Sequence, residues 1–347
     1  MSKKILIMAG GTGGHVFPGL AVADALREKG HKVAWLGTEK GIEARLVPAA
    51  DIAINYIDVV GLRGKSALHL LTAPFKIMRA LLQSLRVMRQ EKPDCVLGMG
   101  GFVAGPGALA AKLMGIPLVI HEQNAVAGTT NRLLSGVANR VLQAFANTFD
   151  SSKNALTVGN PVRKNLPVHK FQPRDTLHVL VVGGSLGAKA INDVMPQVAA
   201  QLPSLAIWHQ TGKNQQQEVA SAYQPIAARV DAFIDDMAAA YAWADVIVCR
   251  AGAMTVSEVA AVGLPAIFIP LPHAIDDHQT ANAKIAADQQ AAILLAQKNM
   301  TVEHLVSLLK EFQQQPEKRQ AMAEQSAKLG IRDADKKVMA ACLELAQ

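Results

Sequence analysis

Two glycine-rich turns, each placed between an apolar strand pattern and a helix pattern, constrain this chain more than any other feature. The first, GGTGGH, covers residues 10–15, and the second, GGSLGA, covers residues 183–188. Glycine lets backbone N–H groups approach a ligand closely, and the unpaired N–H groups at a helix start favour an anion. Two such turns predict two Rossmann-like halves that bind a phosphate-bearing ligand.

The order of strand and helix patterns predicts the domain organisation. The 347 residues are enough for two domains, and apolar strands alternate with helices first before residue 160 and again from residue 177. Such alternation is typical of βαβ units with parallel sheets. We predict an α/β protein with two doubly wound domains that face each other across a cleft, over 1–160 and 161–332, and a final helix over 333–347 that returns to the first domain.

The distribution of charge indicates an anionic partner for the first half. The net charge is +7, of which residues 1–160 carry +8 and residues 161–347 carry −1. Nucleic acid and anionic lipid are the usual partners of such an excess. The chain has only 9 Phe, 3 Tyr and 3 Trp, without interleaving of basic and aromatic residues, so we predict a membrane surface and no nucleic acid.

One stretch, residues 59–90, has the composition of a lipid-facing helix because it contains no Asp or Glu. Its cations are Arg63, Lys65, Lys76, Arg79, Arg86 and Arg89, and its predicted apolar face consists of Phe75, Met78, Leu81, Leu82, Leu85 and Met88. An apolar face flanked by cations suits anionic lipid. The alternative is packing against the sheet, and both can hold. No segment has the length of a bilayer span, so we expect peripheral contact.

The cysteines and the first turn limit the other site types. Cys95, Cys249 and Cys342 lack CxxC spacing, which disfavours disulfides and zinc and fits a reducing cytoplasm.

The first turn matches the dinucleotide pattern poorly, since Val16 occupies the third glycine position. A third glycine cluster, residues 98–101, also ends a strand pattern and precedes a helix, so we expect three glycine loops to converge on one cleft. We expect no cofactor.

The second half contains a further candidate site, CRAGAMTVSE over residues 249–258. Gly252 and Thr255 open a helix whose free N–H groups suit a diphosphate, and Glu258 can accept two hydrogen bonds from a diol such as a ribose. The alternative is that Glu258 is an ordinary first-turn acid favoured by the helix dipole.

Eight motifs extend over nearly the whole chain. They are GGTGGH (10–15), GMGGF (98–102), HEQN (121–124), VGNPVR (158–163), GGS (183–185), FIDDM (233–237), RAGAMTVSE (250–258) and HQTANA (278–283). Together they resemble the MurG family. The resemblance implies a GT-B fold and an inverting transferase that moves N-acetylglucosamine from UDP-N-acetylglucosamine to undecaprenyl-diphospho-muramoyl pentapeptide (lipid I), giving lipid II for peptidoglycan synthesis. It also implies a peripheral place on the cytoplasmic face of the bacterial plasma (inner) membrane.

The resemblance implies a role for particular residues. The implied donor-binding residues are Thr12, Gly13, Gly14, Asn124, Arg163, Ser185, Ile234, Ala253, Met254, Thr255, Val256, Ser257, Glu258 and Gln279. The residues implied for the acceptor diphosphate are Gly13, Gly14, His15, Gly100 and Gly101. Among the donor residues, Ile234 is assigned to the uracil and Glu258 to the ribose. An Arg fork suits diphosphate, and amides that donate and accept suit sugar hydroxyls.

Two side chains are candidates for the general base. His15 follows the first turn and has an unperturbed pKa near neutrality; its alternative roles are acceptor binding and helix capping. Glu122 is the second candidate, with a structural role as the alternative. The chain has no DxD run at a strand end, and we interpret Asp235 and Asp236 as a loop pair. We therefore predict metal-independent chemistry, with Arg163 and a helix dipole stabilising the leaving group.

Two other function classes remain open at this point. A UDP-sugar epimerase would use a similar scaffold and donor but would not need the basic helix. A non-catalytic nucleotide or lipid binding protein would not need converging His, Glu and Arg side chains.

Overall fold

The computed structural model describes residues 1–59, 73–172, 174–184, 186–272 and 277–346. Contacts divide the chain into two compact units. The first consists of Met1–Arg163 together with Arg332–Gln347, and the second of Lys164–Ile331.

The first unit is built on a parallel sheet. Its strands are β1 (Lys4–Met8), β2 (Lys32–Gly37), β3 (Ala53–Tyr56), β4 (Cys95–Gly98), β5 (Leu118–Glu122), β6 (Arg140–Gln143) and β7 (Leu156–Thr157). Its helices before residue 163 are α1 (Gly13–Glu28), α2 (Glu43–Ala49), α3 (Ala73–Glu91), α4 (Ala104–Leu113) and α5 (Thr129–Leu134). The strand order is β3-β2-β1-β4-β5-β6-β7. The chain thus adds β2 and β3 on one side of β1 and the later strands on the other, so the order of the strands switches between β1 and β4. Ligands of doubly wound sheets bind at such a switch, beyond the carboxyl ends of the strands.

The second unit repeats this design. Its strands are β8 (Leu177–Val182), β9 (Leu205–Gln210), β10 (Ala228–Asp231), β11 (Val246–Cys249), β12 (Ala266–Phe268) and β13 (Ile293–Leu294), which pair in parallel in the order β10-β9-β8-β11-β12-β13. Its helices are α6 (Lys189–Gln201), α7 (Gln216–Ala222), α8 (Met237–Trp243), α9 (Ala253–Val262), α10 (His278–Asp288), α11 (Val302–Gln314) and α12 (Pro316–Leu329). The prediction of two parallel-sheet domains is confirmed.

The first sheet has an apolar core on each face because strand side chains alternate in direction. Ile5 and Ile7 of β1 pack in the core that also receives Val338 and Cys342 from the last helix, α13 (Ala334–Leu345). On the other face, Leu6 and Met8 pack with side chains of α3 and α4, such as Met88 and Ala108. The final helix is thus part of the first unit.

The apolar face predicted for residues 75–88 is divided in the structure. Met88 is buried in the core, and Leu81 and Leu85 pack beside it. Phe75, Met78 and Leu82 are 80%, 55% and 59% exposed. One sector of the helix therefore packs on the sheet while the other stays exposed, which agrees with the alternative that both kinds of contact hold. A helical wheel alone does not show which sector the neighbouring helix and sheet cover. Val60–Thr72, with Arg63 and Lys65, lies outside the described residues.

No helix within the described ranges combines the length and the apolar character that crossing a bilayer requires.

Candidate functional site

The first glycine turn and the third glycine cluster touch each other at the ends of neighbouring strands β1 and β4. A Cβ on Gly101, where φ is +80°, would lie 2.5 Å from the carbonyl oxygen of Gly10. A Cβ on Gly100 would lie 3.0 Å from Cδ2 and 3.1 Å from Nε2 of His15. The close approach of the two loops therefore requires glycine at both positions, and it places His15 beside Gly100.

Helix α1 begins inside the turn, at Gly13, with Thr12 as its N-cap. The helix thus includes two glycines of the turn in its first positions, although glycine is a poor helix former. The Thr12 side chain does not cap the helix; its Oγ1 lies 3.3 Å from His15 Nδ1. The first turn of α1 contains no acidic residue. No carboxylate of this turn therefore neutralises the positive end of the helix dipole at the N–H groups of Gly13 and Gly14.

A buried carboxylate that the sequence analysis missed supports the first turn. Glu43, the first residue of α2, is 0% exposed. Its Oε2 accepts a hydrogen bond from the backbone N–H of Gly11 at 3.0 Å, and its Oε1 accepts from the N–H and hydroxyl of Thr38 at 3.0 and 2.7 Å.

The HEQN and VGNPVR motifs are joined by hydrogen bonds. The Nε2–H of His121 donates to the carbonyl of Gly159 at 2.9 Å, and the amide of Gln123 donates to His121 Nδ1 at 3.2 Å. The Asn160 amide donates to the Gln123 carbonyl at 3.0 Å. Two segments distant in sequence thus form one rigid corner at the ends of β5 and β7.

Burial of this corner gives a pH prediction. Desolvation lowers the pKa of His121 from 6.5 to about 4, against smaller opposing effects of the Gly159 hydrogen bond and the Glu122 charge. In the unfolded chain the His121 imidazole takes up a proton as the pH falls below 6.5, whereas in the native chain it stays neutral until about pH 4. The free energy of unfolding is therefore not reduced by this group above pH 6.5, and it decreases as the pH falls from 6.5 to 4. We expect a loss of about 2 kcal/mol in unfolding free energy between pH 6.5 and 5, measured by urea titration.

The control for this prediction is His121→Gln, which cannot titrate. Its unfolding free energy should change less than that of the native chain over this pH interval. Equal pH dependence of the two proteins would show that His121 does not contribute.

Glu122 ends β5 and is 2% exposed. Its Oε1 accepts from the N–H and the side-chain amide of Asn124 at 3.0 and 3.1 Å. Its Oε2 accepts from the N–H of Gly128 at 3.1 Å and from the amide of Asn131 at 2.9 Å. Both oxygens are therefore engaged with the loop that carries Asn124, an arrangement that favours the structural alternative for Glu122.

Arg163 is exposed at the end of the VGNPVR motif. Its guanidinium carbon lies 5.9 Å from the centre of the Phe17 ring on α1. This cation–π geometry places a cationic fork near the first turn of α1.

The second glycine turn is positioned by buried polar side chains. Gly187, with φ +77°, touches the carbonyl of Thr211, and the Asn192 amide donates to the same carbonyl at 2.9 Å. His209 bridges Asn192 and Tyr223 at 3.1 and 2.9 Å. Ser185, predicted to contact the diphosphate, lies outside the described residues.

Helix α9 carries six of the implied donor residues. Gly252 is its N-cap, and its first turn contains no acidic residue. Glu258 lies one turn further and is 7% exposed, so it is not a first-turn acid at the surface. Tyr241 of α8 donates its hydroxyl to Glu258 Oε2 at 3.0 Å. Ala253 and Val256 are buried, whereas Met254, Thr255 and Ser257 are half-buried.

The other donor residues lie near loops at the carboxyl ends of strands. Ile234 is buried after β10, and Asp236 caps α8 by accepting from the N–H of Ala239 at 2.9 Å. Gln279 is the second residue of α10, and its side-chain oxygen accepts a hydrogen bond from the N–H of Leu271 at 2.9 Å. Arg250, whose role the sequence analysis did not assign, donates to the carbonyls of Ile269 and Pro270, both at 3.1 Å.

No three His, Cys, Asp or Glu side chains lie together as metal ligands in the part of the chain that the structure describes.

The chain matches two family models that together cover most of its length. The glycosyltransferase family 28 N-terminal domain matches residues 5–143, and the C-terminal domain of the same family matches residues 178–338.

Relatives and solved structures indicate which members of this family the chain resembles. A Shewanella denitrificans UDP-N-acetylglucosamine–N-acetylmuramyl-(pentapeptide) pyrophosphoryl-undecaprenol N-acetylglucosamine transferase is 52% identical and matches over 100% of this chain and 98% of its own. The crystal structure of Acinetobacter baumannii MurG is 44% identical, with a TM-score of 0.87 over 99% of both chains. A UDP-GlcNAc 2-epimerase from Neisseria meningitidis has a TM-score of 0.71 over 98% of this chain and 100% of its own, at 15% identity, so it shares only the fold. The chain therefore belongs to glycosyltransferase family 28 and, within it, to the MurG family of N-acetylglucosaminyltransferases.

Proposed function

We propose that this protein transfers N-acetylglucosamine from UDP-N-acetylglucosamine to the muramoyl sugar of undecaprenyl-diphospho-muramoyl pentapeptide (lipid I), giving lipid II for peptidoglycan synthesis. The observation that carries the proposal is 52% identity over the whole chain to a relative whose name states this transfer. The eight motifs that carry the implied site residues are spread over both units.

The proposed reaction is a single displacement. The acceptor hydroxyl oxygen attacks the anomeric carbon, and the bond from that carbon to the diphosphate oxygen breaks. UDP leaves with the bonding electrons, and the hydroxyl proton passes to a base. Attack opposite the leaving group inverts the anomeric centre.

We assign the base to His15 rather than Glu122. The His15 ring is half-buried and lies beside Gly100, so an imidazole nitrogen stands among the loops proposed for the acceptor. Both Glu122 oxygens already accept two hydrogen bonds each, which fills the lone-pair positions of a carboxylate.

The donor assignment is supported by the chemistry of the second unit. The start of α9 offers N–H groups for a diphosphate, and Tyr241 holds one oxygen of Glu258 in place, which suits a ribose diol. Ile234 is proposed for the uracil, with Ser185 and Arg163 at the diphosphate and Asn124 and Gln279 at the sugar. Thr12, Gly13 and Gly14 remain proposed contacts as well.

A transfer assay tests this function. Radiolabelled UDP-N-acetylglucosamine is incubated with a soluble lipid I analogue in EDTA, and lipid-linked label and released UDP are measured. We expect equal amounts of both, without added metal and without a cofactor. An epimerised UDP-sugar with no transfer, even after Mg²⁺ is restored, would instead support the epimerase alternative.

We also propose that the protein binds the cytoplasmic face of the bacterial plasma membrane peripherally. The support is the exposed apolar side chains of α3 beside exposed Lys76, Arg86 and Arg89. Helix α4 packs against α3 and adds exposed Leu109 and Leu113. Apolar groups flanked by cations suit an anionic bilayer, and three unpaired, buried cysteines fit the reducing side.

Replacing Phe75, Met78 and Leu82 together by serine is expected to weaken binding to anionic vesicles by about 100-fold. This factor corresponds to about 1 kcal/mol for each side chain, less than the roughly 1.5–3 kcal/mol of full burial, because a peripheral helix inserts its side chains only partly. Co-sedimentation with phosphatidylglycerol vesicles measures this change. Val168→Ser, in the second unit, is the control and should bind as the native chain does. Unchanged sedimentation of the triple variant would contradict the proposed membrane surface.

A further inference from the structure

Glu43 has no part in the transfer described above, yet hydrogen-bond donors surround its buried carboxylate. It makes three hydrogen bonds, to Gly11 and Thr38. It forms no ion pair with a cation among the described residues. Burial of an unpaired carboxylate is costly unless N–H and O–H donors compensate for lost water.

Three glycines form the space for the Glu43 side chain: Gly10 follows β1, Gly37 ends β2, and Gly41 lies in the loop after β2. A Cβ on Gly10 would lie 2.6 Å from Oε1, and a Cβ on Gly37 would lie 2.8 Å from Cγ. Gly41 also approaches the carboxylate too closely for any side chain. The loops after β1 and β2 therefore close around this one carboxylate.

The hydrogen bond to Gly11 fixes the backbone immediately before Thr12, the N-cap of α1. The backbone of the preceding residue, Gly10, is packed so closely on Gly101 that a Cβ there would clash with it, and a Cβ on Gly100 would press on the His15 ring. A continuous series of contacts thus connects the Glu43 carboxylate to both glycine loops and to the imidazole.

We infer that Glu43 is a positioning residue for the acceptor side of the reaction. Its carboxylate holds the Gly10–Gly11 backbone so that the N-terminal N–H groups of α1 and the His15 ring keep the arrangement needed for the acceptor diphosphate and hydroxyl. This inference rests on the proposed transfer to an acceptor bound at the first glycine turn.

Glu43→Gln tests the inference because it keeps the shape of the side chain. Its NH₂ group faces either the Gly11 N–H or the Thr38 donors, so one hydrogen-bond donor opposes another. We expect kcat/KM for the soluble lipid I analogue to fall about 100-fold, the effect of a displacement of about 1 Å at a reacting group. Binding of UMP by calorimetry should stay within about twofold, because its uracil and ribose are assigned to Ile234 and Glu258 of the other unit.

Two further variants complete the test. Glu39→Gln, at an exposed position of the loop after β2, should retain native kinetics. Thr38→Val removes only the hydroxyl donor and should lower acceptor kcat/KM about fivefold. This variant therefore tests the inference even when Glu43→Gln does not fold.

The outcomes are distinguishable. Native acceptor kinetics in Glu43→Gln, or in Thr38→Val when the first variant does not fold, would overturn the inference. A parallel loss of UMP binding would also overturn it, by showing a general structural role. Failure of the native chain to transfer label would contradict the proposed function itself, and with it this inference.

Discussion

Replacing His15 by asparagine is expected to lower kcat by about 10²–10⁴-fold, the usual contribution of a general base. The ring lies beside Gly100, with Nδ1 3.3 Å from Thr12 Oγ1, and asparagine can donate hydrogen bonds there but has no basic nitrogen. Steady-state kinetics with the lipid I analogue measure kcat and the acceptor KM separately. The acid limb of the pH–kcat profile should disappear with the imidazole.

The alternative role of His15 predicts a different result. A histidine that only binds the acceptor diphosphate would raise the acceptor KM and leave kcat near its native value. His31→Asn is the matched control, since its Nδ1 accepts from the N–H of Lys3 at the amino edge of the sheet. Its kinetics should equal those of the native chain.

Replacing Glu122 by glutamine is expected to destabilise the protein by about 2–5 kcal/mol, since two of the four donors around this buried carboxylate would lose their acceptor. The donors come from Asn124, Gly128 and Asn131, so the loss also loosens the loop that carries Asn124. Urea unfolding gives the change in free energy. In the folded protein the acid limb of the kcat profile should remain.

A native unfolding free energy combined with a 10³-fold loss of kcat would instead identify Glu122 as the base. The control is Glu39→Gln, at an exposed site, whose unfolding free energy should change by less than about 0.5 kcal/mol.

Sequence patterns were sufficient for the two parallel sheets and the family but not for several short elements. The seven-residue helix α2 and the six-residue helix α5 were missed. Helix α2 contains Pro48, and both helices are too short to show a helical period. Their positions depend on packing against the sheet rather than on local preference.

The residues that support the glycine turns were also beyond sequence reasoning. Glu43 was missed because Gly10 and Gly11, which follow β1, become its neighbours only when β1 and β2 pair. His121 and Asn160 were part of motifs, but their partners lie more than 30 residues away. In the sequence such residues cannot be distinguished from other polar residues. Only the tertiary structure shows which backbone segments they bind by hydrogen bonds.

The return of the last helix to the first unit has a consequence for synthesis. Ribosomes deliver Val338 and Cys342 only after all of residues 164–331 have been made. Until then, the face of β1 that carries Ile5 and Ile7 lacks part of its cover, and uncovered apolar surface favours aggregation during folding. The first unit, although begun earlier, is therefore the later of the two to complete its core.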